Sequence, residues 1–340
     1  MPHRVGHLFE KIATLKNINE AFRVYNSRRP SYRRIAYDID MAMTILKGLR
    51  DIGNGVPTDW GLGPVRKKLT QEGTKARILH IPHTESAVAQ TAVLNILGPM
   101  LEGRTTTQSF SSRKGYGLHK CAAKQSRYLQ RNYKNRASYC LQCDIHHFYR
   151  SLPRSVCYDA VSRVIKDEKV LRVVQAILDA DDELPIGFPT SHVFANLVVS
   201  SLYEQLISSD KYIGKVFIYM DNITIYARYK KCLHRAKALI DNWLKSRSMR
   251  LKNDWQIFSP ATRPVLTCGF KLQRGKMTKL YDRIFLLVKR NIARLHRRAS
   301  PHDARAALSR YGWLKAASRV GLFRRLLLPI TSETLKGIAS

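Results

Sequence analysis

The chain reads as an α+β protein built around an antiparallel sheet, and three observations predict this. Two apolar stretches, Ser138–Asp144 and Lys215–Arg228, alternate with the period of two expected of half-buried strands, and the second is long enough to fold back as a hairpin. The segments before, between and after them carry apolar residues at three- and four-residue intervals, which is the helical signal. From residue 271 onward there are 17 Lys and Arg against three acids, so the chain closes in a basic helical region.

Taken in order, residues 8–28 form the first expected helix, with Leu8, Ile12, Leu15, Ile18 and Phe22 on one face. A second helix is expected near 37–50, then a turn-rich stretch from Asp51 to Gly63. Lys75–Pro82 reads as a strand, and Thr84–Leu101 as a largely apolar helix closed by Gly103. The glycine-punctuated Ser109–His119 opens a helix near 117–132. The strand 138–144 follows, then helices near 154–166, 168–179 and 191–207. The hairpin of 215–228 is expected to turn at Asp221-Asn222, two residue types that tolerate left-handed backbone. A helix over 231–246, short strands at 254–258 and 265–272, and a basic helix over 282–299 complete the reading.

With 340 residues and 44% hydrophobic content, the chain can bury a sizeable core. Fifty-nine Lys and Arg against 25 acids give a net charge of +34 and a pI near 10.3, which calls for a polyanionic partner, nucleic acid first. No membrane is expected. The basic residues are spread along the whole chain, and the longest apolar stretch, Val193–Ile207, is broken by Asn196, serines and Glu204. The opening residues lack the apolar core of a secretion signal, so a cytoplasmic location is expected. Six cysteines at 121, 140, 143, 157, 232 and 268 have no framework spacing and read as reduced thiols.

The chemistry centres on two carboxylates. Asp144 and Asp221 each end an alternating stretch, so if those stretches are neighbouring strands, the acids meet at one edge of the sheet. Such a pair suits Mg²⁺, which keeps much of its water and takes one or two carboxylates plus substrate phosphates, as in two-metal phosphoryl transfer. Arg113 and Lys114, flanking glycines at a helix start, form a candidate phosphate-binding turn.

The motifs Arg77-Ile-Leu-His-Ile-Pro82, Ser109-x-x-x-Arg-Lys-Gly-x-Gly-x-His119, Asp144-x-x-x-Phe-Tyr149, Ile186-Gly-x-x-x-Ser-x-x-x-Ala-Asn196, Tyr219-Met-Asp221 and Cys268-Gly-Phe270 stand in an order that resembles bacterial reverse transcriptases. The likeness is to the compact kind found in diversity-generating retroelements and in defence-associated systems. It implies a right-hand polymerase: residues 1–137 as an N-terminal extension and fingers, 138–272 as a palm with interleaved fingers helices, and 273–340 as a basic helical thumb. The resemblance further implies that Asp144 and Asp221 hold Mg²⁺ or Mn²⁺, with the backbone carbonyl of Ile145 and the side chain of Asn222 as further oxygen ligands. Lys75 and Arg77 would neutralise the incoming deoxynucleoside triphosphate. Tyr149 would exclude a 2′-hydroxyl, Gly187 and Ser191 would lie along the template and nascent pair, and Lys252 would protonate the pyrophosphate.

Two positions depart from the family pattern. Asn222 stands where a second aspartate is usual, and His192 where glutamine usually follows the serine. Three readings stay open: an RNA-directed DNA polymerase working with a structured template RNA, a catalytically impaired RNA-binding scaffold, and an untemplated nucleotidyl transferase. The partners expected of the first are that RNA, the DNA product and deoxynucleotides, with an accessory protein or a second copy of the chain left open.

Overall fold

The computed structural model describes residues 4–27, 29–62, 66–72, 75–132, 136–276, 278–298, 300–317, 325–326, 330 and 332–339. The chain divides into two compact units, and both are discontinuous in sequence. The first comprises Met1–Ser109, Ile145–Leu206 and Ala238–Lys252; the second comprises Phe110–Asp144, Ile207–Lys237 and Asn253–Ser340.

The first unit is helical with one small sheet. It begins with α1 (Phe9–Ile12), α2 (Leu15–Ser27) and α3 (Ile39–Asn54). The single helix expected over 8–28 is broken at Ala13–Thr14. There Thr14 Oγ1 accepts the Asn17 N–H and the Asn17 amide donates to Ile12 O, so local side-chain bonds restart the helix. A hairpin follows, β1 (Arg66–Glu72) against β2 (Lys75–Ile81), with Arg66 opposite Ile81 and Glu72 opposite Lys75. β1 has no apolar alternation, which is why the sequence left it unplaced.

α4 (Thr84–Arg104) runs through Pro99 and past Gly103, the expected stop, because Leu97 and Leu101 are fully buried and hold its last turns down. The unit also contains α6 (Phe148–Ser151), α7 (Arg154–Ser162), α8 (Glu168–Asp179) and most of α9 (Ser191–Ser209). α2 packs on α4 and α3 on α8, through Ile18 and Phe22, Ile45 and Leu49, and Val170 and Val174.

One carboxylate ties two helices together. Asp167 caps α8 by accepting the Val170 N–H, and its other oxygen accepts the N–H groups of Leu8 and Phe9 at 2.7 and 3.0 Å. Burial alone would raise its pKa, but these backbone donors outweigh burial and hold it below the usual carboxylate value. Val5 pairs in parallel with Ile165 just before that cap.

The second unit carries the larger sheets. β3 (Tyr139–Asp144), β4 (Ile213–Tyr219), β5 (Asn222–Ala227) and β6 (Gln256–Phe258) form an antiparallel sheet in the order β4-β5-β3-β6. A second sheet joins β7 (Val265–Thr267), β8 (Phe270–Leu272) and β9 (Lys279–Leu280). The Gln142 side chain links them, donating to Leu266 O at 2.6 Å and accepting the Leu266 N–H at 3.2 Å.

α5 (Leu118–Asn132), the first half of α10 (Lys230–Lys245), α11 (Asp282–Arg297), α12 (Pro301–Ala316) and α13 (Ser332–Ala339) complete the elements of this unit. The core of this unit gathers Phe110, Leu129, Phe217, Tyr226, Phe270 and Leu314. Its buried polar centre is Gln125, which accepts from Tyr226 OH and donates to Thr267 Oγ1, both at 3.0 Å. Cys140 and Cys143 are buried in the sheet as reduced thiols, as the sequence suggested. No helix among the described residues is long and apolar enough to cross a membrane.

Candidate functional site

The sheet of the second unit brings the two acids to one end. Asp144 is the last residue of β3 and stands opposite Asn222, the first residue of β5. Tyr219, the last of β4, stands opposite the same Asn222, which leaves Met220 and Asp221 as the whole loop. The turn therefore falls one residue earlier than expected from residue type. Asn222 has been drawn into the ladder, and Met220 takes the left-handed backbone instead, at φ 56°. Register set by buried Ile218 and Ile223 outweighs the turn preference of asparagine.

Asp144, Asp221 and Asn222 are all half-buried. The Asn222 amide donates to Asp144 Oδ1 at 2.7 Å, and its carbonyl oxygen accepts from Thr224 Oγ1 at 3.4 Å. So the oxygen expected to face a cation is turned to Thr224. Tyr281 sits in the same unit with its phenol pKa pushed up, chiefly by burial, then by Cys268, and more weakly by Asp144.

Two carboxylates at adjoining backbone positions form a hard-oxygen donor set that suits Mg²⁺ or Mn²⁺. Among the described residues, no group of three His, Cys, Asp or Glu side chains forms an all-protein metal cage. The fit is to a cation that shares its coordination with water and substrate.

The loop carrying Arg113 and Lys114 also belongs to the second unit. It is pinned to β4 by the Phe110 N–H on Ile218 O, and it closes on itself through the Gly117 N–H on Phe110 O and the Tyr116 N–H on Arg113 O. Two N–H groups that an anion would use are thus committed inside the loop. What it offers are cations gathered at one ring, Arg113 at 4.3 Å and Lys120 at 4.6 Å from the centre of Tyr116.

The remaining sequence-predicted residues lie in the first unit. Lys75 opens β2 opposite Glu72, and Arg77 is exposed opposite Thr70. Tyr149 is half-buried on α6, its ring edge-on to Phe148 at 5.5 Å. Ile145 bridges Leu251, and the His146 N–H donates to Arg250 O at 2.9 Å, so Lys252 runs beside the start of this segment. The His146 pKa is lowered first by burial, then by the charges of His147, Arg250 and Lys252. Ser191 opens α9 with a buried hydroxyl that has no hydrogen-bond partner among the described residues.

The resemblance sets Gly187 along the template and nascent pair. The fold gives a nearer reason for a glycine there. Its φ is 129°, and a Cβ there would lie 2.4 Å from the carbonyl oxygen of His80.

His80 is the residue that sequence reasoning missed. It is buried, with Nδ1 2.5 Å from Asp181 Oδ2 and Nε2 3.0 Å from Glu183 Oε1, and its N–H donates to Ile186 O. Burial would raise the Asp181 pKa, but the hydrogen bond and charge of His80 bring it below the ordinary value. β2 is thereby clasped to the loop that bears Gly187. The available signal was Asp179-Ala-Asp-Asp-Glu183, an acidic run in a chain otherwise dominated by cations.

Among curated proteins, none matches the chain. Solved structures do resemble it. Telomerase from Candida albicans in complex with a TWJ fragment of telomeric RNA superposes with a TM-score of 0.54 at 11% identity, over 82% of this chain and 57% of that one. Apo telomerase from Candida tropicalis gives 0.52 at 11% identity, over 86% and 62%. The same telomerase truncated from its C-terminal domain gives 0.50 at 12% identity, over 66% and 56%. The chain thus spans less than two thirds of the length of these proteins. At such identities the likeness establishes fold, that of a right-hand polymerase with an antiparallel sheet. In sequence, residues 65–271, more than half of the chain, match the family described as reverse transcriptase (RNA-dependent DNA polymerase), and the chain belongs to that family.

Proposed function

We propose that the chain is an RNA-directed DNA polymerase that extends a primer on a structured template RNA. The observation that carries this reading is the pairing of Asp144 with the residue next to Asp221 at the end of the β4-β5-β3-β6 sheet. Family membership and the fold support it.

In the reaction, the primer 3′-hydroxyl bonds to the α-phosphorus of a deoxynucleotide, and pyrophosphate leaves. Asp144 and Asp221, with the Ile145 carbonyl, would hold the divalent cations. Bound there, the cations lower the pKa of the hydroxyl and absorb charge on the leaving oxygen. Lys75 and Arg77 neutralise the triphosphate, and Lys252 gives a proton to the departing pyrophosphate. Tyr149 selects the deoxy sugar by occupying the space a 2′-hydroxyl needs. The Gly187–Ser191 segment serves the template and nascent pair, with the unpartnered Ser191 hydroxyl as a donor or acceptor kept for substrate. Arg113, Lys114 and the basic region 273–340 bind nucleic-acid phosphates.

We assign residues 1–137 to an extension and fingers, 138–272 to the palm and 273–340 to the thumb. The motif order supports a setting in antiphage defence or in a diversity-generating retroelement.

Primer extension on defined RNA templates, with each deoxynucleotide and Mg²⁺ or Mn²⁺, tests the proposal. Template-directed incorporation that switches to accepting ribonucleotides in Tyr149→Ala is expected. Incorporation blind to template sequence selects a transferase. No incorporation in any condition, including with RNA that co-purifies with the chain, leaves an RNA-binding scaffold. Sequencing that RNA identifies the template and the setting.

A further inference from the structure

Asn222 occupies the position where the second acid of the motif is usual, and its contacts assign it a different task. It faces Asp144 across the β3–β5 ladder and Tyr219 across the β4–β5 ladder, so its backbone is held from both sides. Its amide N–H reaches Asp144 Oδ1 at 2.7 Å, while its oxygen accepts from the hydroxyl of Thr224, which is completely buried. An ionised carboxylate has acceptors only, so a contact at this distance needs a donor on the other side. Asparagine supplies one, and aspartate at the same place would not.

We propose that Asn222 is a positioning residue: it acts through Asp144, fixing Oδ1 with an N–H donor so that the carboxylate is set before any cation arrives, and its own oxygen is not a ligand. This rests on the polymerase reading only in calling Asp144 a metal-binding acid. Thr224 completes the device by fixing which end of the amide faces Asp144. The chain thereby removes one negative charge from the acidic end of the sheet and replaces repulsion between neighbours with attraction. An aspartate at 222 would crowd the acidic end with a further like charge and make its order depend on a bound cation.

The test compares the chain with Asn222→Asp and Asn222→Ala, following melting temperature in EDTA and across titrations of Mg²⁺ and Mn²⁺. In EDTA, Asn222→Asp is expected to melt several degrees below the parent and to recover steeply as either cation is added, giving a larger metal-induced shift than the parent. Asn222→Ala, which loses the donor without adding charge, is expected to weaken the Mn²⁺ midpoint about tenfold, the scale seen when a partner that orients a metal ligand is removed. In incorporation assays its kcat falls while KM for the deoxynucleotide stays put. Equal melting of Asn222→Asp and parent in EDTA, with equal metal shifts, would overturn the proposal. So would an Asn222→Ala variant with an unchanged Mn²⁺ midpoint. If the melting pattern appears while none of the three proteins incorporates nucleotide, the polymerase reading fails and the positioning role stands.

Discussion

Two of the molecule's hairpins, β4–β5 and β1–β2, are built for opposite ends. β4–β5 lies inside a four-stranded sheet, where Val216, Ile218, Ile223 and Ile225 are fully buried and the loop carries an acid. β1–β2 is a sheet of its own, with the cross-strand pair Leu69 and Ile78 at 70% and 50% exposure and cations at Lys67, Lys68 and Arg77. Hydrogen-bonded ladders are similar in both. What differs is the layer packed against them, and a ladder alone gives little independent stability. On the proposed reading, the loop acid that would bind a cation sits on the hairpin locked by burial, whereas the cations that would meet a polyanion are on the hairpin left open to solvent.

Substitutions at each can break or sharpen that contrast. The largest effect is expected at the acidic end of the sheet: Asp221→Asn or Asp144→Asn should cut primer extension by about 10³-fold or more, roughly 4 kcal/mol on the barrier, with melting little changed. A variant that retains activity would remove the loop from the chemistry.

Next comes burial. Ile223→Ala, at a position with no exposure, should cost about 3 kcal/mol in denaturant unfolding. Gly187→Ala should cost about 2 kcal/mol, because backbone must move from the His80 oxygen, while Gly115→Ala, also at positive φ but with nothing within 4 Å of its Cβ, should cost about half that. Equal costs would mean that the His80 contact is not what constrains the loop.

Asp167 should show a smaller, pH-dependent effect. Its pKa is lower folded than unfolded, so its contribution is complete above the unfolded value near 4 and is lost as pH falls through the folded value. Asp167→Asn should therefore cost about 1 kcal/mol at neutral pH, an amount kept small by solvent screening, and should flatten the acid limb of a stability–pH profile. The smallest effect is expected on the open hairpin, where Leu69→Thr should stay within about 0.5 kcal/mol.

Much of the fold was legible in the sequence. The strands 139–144, 213–219 and 222–227 stand out as apolar runs rich in β-branched and aromatic residues, and α8 follows a capping aspartate and a strong apolar stripe. The convergence of Asp144 with the Asp221 loop followed from the acids' place at the ends of those runs. β1 was not legible, because a two-stranded sheet open to solvent imposes no apolar period on Arg66-Lys-Lys-Leu-Thr-Gln-Glu72. The position of the 220–221 turn was misread because pairing on both sides of Asn222 is a property of the assembled sheet, not of the residue. His80 escaped for a similar reason: its partners Asp181 and Glu183 lie about a hundred residues on, and nothing local marks a histidine as clasped between acids.

The anchoring of Val5, Leu8 and Phe9 on residues 164–167 also sets an order of events. During translation, the amino-terminal segment leaves the ribosome well before the strand partner and the carboxylate that receive it have been made. One turn of helix cannot persist alone in water. Residues 5–9 therefore reach their place only after residues 164–167 exist to receive them, which makes their docking a late step of maturation.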